Sequence, residues 1–75
     1  MAKIKVLKEL NTKKEMKDLV GWTIPKGTHI AVIKIGPPHP RTGEVVAVVR
    51  IDNGTGFWEL CPETCIRFPK GFTIA

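Results

Sequence analysis

Two runs of β-branched residues, separated by a loop that proline stiffens, constrain this chain more than any other feature of it. Ile30, Val32, Ile33 and Ile35 fill a segment over 28–35, and Val45, Val46, Ala47, Val48 and Val49 fill another over 44–51. Side chains of this kind lose rotamer freedom in a helix and pack well on a pleated sheet. Between them, Gly36-Pro37-Pro38-His39-Pro40-Arg41-Thr42-Gly43 has three prolines in four residues, which end both neighbouring strands and hold the loop extended. The unbroken apolar run over 45–49 predicts a central strand covered on both faces.

The flanking segments are shorter. Lys3-Ile4-Lys5-Val6-Leu7 alternates polar and apolar residues, the pattern of an edge strand with its lysines outward. Thr12 followed by Glu15 is a capping-box pair, and Met16, Leu19 and Val20 then fall on one helical face before Gly21. Together they predict a short helix over 13–20. Lys13 and Lys14 in its first turn oppose the helix dipole. Pro25-Lys26-Gly27 reads as a turn. Asp52-Asn53-Gly54-Thr55-Gly56 reads as a hairpin turn, because Asn and Gly accept positive φ at low cost. A third strand over 57–61, a single helical turn over 62–64, a last strand over 65–68 and a tail over 69–75 complete the pattern.

With 75 residues, the chain is long enough for one domain, 1–75, and such a domain buries only about 60% of the surface its unfolded form exposes. Several short strands in so short a chain must curl to cover a two-faced central strand. The expected fold is mainly β: a small barrel of four or five antiparallel strands, with one short helix near the N-terminus. Length alone excludes Rossmann, TIM-barrel and hydrolase architectures. The N-terminal residues contain no apolar stretch like that of a signal peptide, and no run approaches the ~20 residues of a membrane span. A soluble, cytoplasmic protein is therefore expected, and Asn53-Gly54-Thr55 is read as a turn rather than a glycosylation site.

The order of these elements resembles an SH3-like barrel. The stretch from Lys26-Gly27 to Asn53-Gly54 is similar to a KOW-type segment, with Gly27, Ile30, Val32, Gly36-Pro37, Gly43-Glu44-Val45 and Asn53-Gly54 at the corresponding places. The proline-rich loop departs from that pattern, since it lacks the usual lysine-glycine pair. Val49 to Phe68 also looks like the end of small barrels that dock onto redox assemblies, such as the one found in photosystem I. KOW segments touch RNA or protein, so the resemblance implies a binding role of one of these kinds.

Little in the chain speaks for catalysis. No Ser-His-Asp or Cys-His pattern sits in a strand–turn–helix context, and the glycines occupy turns rather than a phosphate loop. Cys61 and Cys65 form CPETC. His29 and His39 stand ten residues apart, unlike the two close ligand pairs of a structural zinc site, so reduced thiols and no metal or cofactor are expected. Twelve Lys and Arg against seven Asp and Glu give a net charge of +5, and residues 1–18 hold six lysines against three acids. Such a balance favours acidic proteins, nucleic acid and membrane surfaces alike. Of the aromatics Trp22, Phe57 and Trp58, either Phe57 or Trp58 is expected to face outward as an anchor, with Trp22 and the other completing the core. If 57–61 is a strand, Phe57 and Trp58 point to opposite faces. The candidate partner-binding residues are Pro38, His39 and Arg41 on the stiff loop, together with Trp58. The expected function is a non-catalytic module that docks onto a larger protein assembly as an accessory or regulatory subunit. A nucleic-acid-binding barrel is the alternative, and an enzyme subunit completed by oligomer symmetry is a third reading.

Overall fold

The computed structural model describes residues 4–70. Six strands, β1 (Lys8–Asn11), β2 (Met16–Lys17), β3 (Thr23–Ile24), β4 (His29–Ile35), β5 (Val45–Ile51) and β6 (Glu63–Phe68), are joined by loops and one 3-10 turn, η1 (Trp58–Leu60). The two β-branched runs pair antiparallel as β4 and β5, as their composition demands. β1 lies along the outer edge of β4 and β6 along that of β5, giving the order β1-β4-β5-β6.

Register determines which side chains reach the core. Ile30 lies opposite Ile51, Val32 opposite Val49, and Ile35 opposite Ala47, with a register shift at Ile33. Strict alternation would turn Ile35 to the face opposite Val32. The bulge absorbs one residue, so Ile35 returns to the inner face and Lys34 points outward. Ile30, Val32, Ala47, Val49, Ile66 and Phe68 make the inner face, with Leu10, Ile35 and Ile51 packed around them.

The inner face is covered by the β2–β3 hairpin. Ile24 is buried in the core and Met16, its cross-strand partner, packs against it. Thr12 ties the base of this excursion. Its hydroxyl donates to the Pro25 carbonyl at 2.7 Å and accepts from the Thr28 N–H at 2.9 Å. Its backbone N–H donates to the Thr28 carbonyl at 2.9 Å, and its carbonyl accepts from the Gly27 N–H at 2.8 Å. Thr12 is buried with its polar atoms satisfied, so it closes a loop rather than capping a helix.

Several expectations are corrected. Residues 13–20 form no helix. Met16–Lys17 is a strand and 19–20 a turn, because burying Met16 with Ile24 on the inner face outweighs a weak helical pattern whose first-turn lysines oppose it. The first strand lies at Lys8–Asn11 rather than 3–7; Lys3 falls outside the described residues. Residues 57–61 form the turn η1 instead of a strand, and the expected helical turn over 62–64 is absent, because β6 already starts at Glu63. Among the described residues the barrel does not close. β1 and β6 remain the two edges of an open four-stranded sheet, and β2–β3 fills the inner side as a separate two-stranded sheet. Nor is β5 fully covered on both faces: Val45, Ala47 and Val49 are buried, whereas Val46 remains 38% exposed. The tail over 71–75 lies outside the described residues. No helix among the described residues is long and apolar enough to cross a membrane.

Candidate functional site

The turn that joins β2 to β3 is built around Asp18. One carboxylate oxygen accepts from the Val20 N–H at 3.0 Å and the Trp22 N–H at 2.8 Å, and the other accepts from the Thr64 hydroxyl at 2.7 Å. The Asp18 N–H donates to the Trp22 carbonyl at 3.1 Å, and Gly21 closes the turn at a φ of 96°. The Leu19 N–H donates to the Cys65 carbonyl at 3.0 Å, stitching the tip to the free edge of β6. Asp18 is only 6% exposed. That burial alone would raise its pKa. The Thr64 hydroxyl and the N–H groups of Trp22, Val20 and Gly21 outweigh it, and hold the carboxyl below its ordinary 3.8.

This anchoring has a cost in exposed apolar surface. Met16 and Ile24 take the inward places on the hairpin. The tip therefore presents Leu19 at 49%, Val20 at 72% and Trp22 at 63% exposure. These three residues border a groove whose other wall is Glu63, Thr64 and Cys65.

Cys65, in the wall of this groove, also belongs to the outer face of the sheet. Cys65 lies directly opposite Val48, and Val48 opposite Lys34; Val46 lies opposite Arg67. Directly paired residues share a face, so Val46, Val48 and Cys65 form an apolar strip flanked by Lys34 and Arg67. The other half of this face is covered by the 52–61 loop. There Arg50 donates to the Cys61 carbonyl at 2.9 Å and pairs with Glu63 at 2.9 Å. His29 meets Glu9 at 3.0 Å and Asp52 at 3.6 Å, and the Trp58 ring stands edge-on to it at 5.1 Å.

The residues singled out from the sequence do not lie together. Pro38 and Arg41 are exposed on the β4–β5 loop. His39 holds that loop in shape: its Nδ1 accepts from the Arg41 N–H at 3.1 Å and the Thr42 N–H at 3.3 Å, and its carbonyl accepts from the Gly43 N–H at 2.9 Å. Trp58 is half-buried on η1 beside His29, at the other end of the β4–β5 pair. A seven-residue strand places these ends about 20 Å apart. Phe57 is the more exposed ring of its pair, at 64%. Cys61 is buried, with Asn53 Oδ1 and the Phe57 carbonyl each 3.3 Å from its sulfur and sharing its single S–H donor, while Cys65 is a half-buried free thiol. Among the described residues, no group of three or more His, Cys, Asp or Glu comes together to hold a metal ion.

The tip residues Leu19 and Val20 were not legible as a surface. Their spacing placed them with Met16 on one face of an expected helix, and the contrary signal was Asp18 three residues before Gly21, a turn pattern. In comparisons with known proteins, no family model, no curated protein and no solved structure matches this chain.

Proposed function

We propose that the chain is a small non-catalytic binding module that docks onto a larger protein assembly as an accessory or regulatory subunit. The observation that carries this reading is the hairpin tip, where three apolar side chains are held out on a turn braced from both sides by Asp18. A braced turn loses little conformational freedom on binding, and an exposed tryptophan is a favoured anchor. The β4–β5 loop, stiffened by prolines and by His39, offers Pro38 and Arg41 as a second contact in the same proposal, with Trp58 at the opposite end. His29 has both ring nitrogens facing carboxylates, which fits a structural role better than that of a catalytic base. Two free thiols fit a reducing, cytoplasmic setting. The SH3-like, KOW-type resemblance belongs to this proposal too, supported by the turn glycines Gly27 and Gly43 at φ 84° and 74°.

The second reading is nucleic-acid binding. It is favoured by the net charge of +5 and by the exposed Lys13, Lys14, Lys17 and Lys26 around the hairpin. The test is capture of partners from the native host with and without nuclease, using the parent, Trp22→Ala and Arg41→Ala. A protein partner survives nuclease, and Trp22→Ala weakens it by about 2 kcal/mol or more. A nucleic-acid partner is lost to nuclease, and its affinity falls with salt at a log–log slope of about −0.9 per phosphate neutralised.

A further inference from the structure

Resting on the docking reading, we infer the chemistry of the partner at one particular surface. The open half of the outer sheet face, continuous with the hairpin tip, receives an acidic protein segment that carries apolar side chains. Two observations meet there. The first is apolar continuity: Val46 and Val48 on β5, Cys65 on β6, then Leu19, Val20 and Trp22 along the groove. The second is the sign of the charge around it. Lys34 and Arg67 flank the strip and are exposed, and the Lys70 side chain lies against Gly43 at the far end.

The nearby carboxylates do little to neutralise these cations. Glu63 is paired with Arg50, and Asp18 is saturated by its turn and Thr64. Glu44 remains at the far rim, beside Val46 and Arg67. The surface is thus an apolar strip bordered by Lys34, Arg67 and Lys70 and interrupted only at its far rim by Glu44, a net positive edge complementary to an acidic chain with apolar anchors.

Other occupants fit less well. A second copy of this chain would set Lys34 and Arg67 against like charges across a self-complementary contact. A strand added along β6 would have to displace the hairpin tip, because the Leu19 N–H already holds the Cys65 carbonyl in the middle of that edge. Nucleic acid favours stacked aromatic platforms, and this strip is aliphatic apart from Trp22.

The experiment titrates isotope-labelled protein with a synthetic peptide of about 12 residues, enough to extend past the strip, in which Glu and Asp alternate with Leu and Phe. Controls are the same peptide with Gln for its acids, with Ser for its apolar residues, with Lys for its acids, and an oligothymidylate. The acidic apolar peptide should shift the amides of Leu19, Trp22, Val46, Val48 and Cys65. Trp22→Ala and the pair Lys34→Glu with Arg67→Glu should each weaken it about tenfold or more, and the charge-reversed pair should gain affinity for the lysine peptide. All of these side chains are exposed, and Trp22→Ala carries the test should the charge-reversed pair not fold. Equal binding of the Gln peptide, or no shift with the acidic one, overturns the inference. Shifts confined to 36–43 overturn this surface but leave the docking reading standing. Shifts with the oligothymidylate alone overturn both.

Discussion

Asp18 shows how one side chain reverses the meaning of its neighbours. Read along the chain, it sits inside a helical pattern. In the fold its carboxylate replaces the backbone partners that a helix would have supplied, accepting from Val20, Trp22 and Thr64. Because these bonds hold its pKa below 3.8, the ionised form stabilises the fold above that value, and the contribution disappears as pH falls from 3.8 through the lowered folded value. Asp18→Asn should therefore melt at a lower temperature than the parent at neutral pH, and the gap should close as the solution is acidified below 3.8. Melting curves of both proteins across that range check this, and a gap independent of pH would rule out a charge-based role. Thr12, also a buried polar side chain, has the sequence context of a helix cap. The threonine chemistry is the expected one, an oxygen that accepts a backbone N–H, but its partner is Thr28, sixteen residues away. A side-chain hydrogen bond to distant backbone leaves no local trace, so the place of Thr12 could not be read from the sequence, whereas the local bonds of Asp18 to Val20 and Trp22 left the Asp18–Gly21 spacing as their one signal.

At the scale of the element, the long strands were legible and the short segments were not. β4 and β5 follow from β-branched composition and lie within a residue of the expected limits. Residues 13–20 and 57–61 went the other way because each is too short for local preference to decide against packing. The sheet as found also revises what the apolar run over 45–49 means. Val49 points into the core at 0% exposure, whereas Val46 faces out at 38%. Val49→Asp should abolish folding, since an unpaired buried charge costs several kcal/mol in a domain with little stability to lose. Val46→Asp should stay folded and melt close to the parent. Circular dichroism and thermal melting of the two variants separate these outcomes; equal damage from both would mean that β5 is enclosed on both sides after all.

For the molecule as a whole, two layers suffice where a closed barrel was expected. The β2–β3 hairpin closes one side of the sheet, and the 52–61 loop closes half of the other. That division separates the histidines, with His29 under Trp58 and His39 in the β4–β5 loop at the far end of the strands, so they cannot join Cys61 and Cys65 at one metal. Chelator or added zinc should accordingly leave the melting temperature unchanged; a strong shift in either direction would contradict this arrangement. Composition and periodicity by themselves determined the β class, the central pair of strands, the turn at 25–27 and the stiff loop, since each follows from local sterics and from which side chains suit a pleated surface. Only the tertiary structure decided the rest. Whether Met16 begins a helix or a hairpin, whether Ile35 faces in or out, and whether Leu19, Val20 and Trp22 are core or surface all depend on which face is already filled, and residues distant in the chain do the filling.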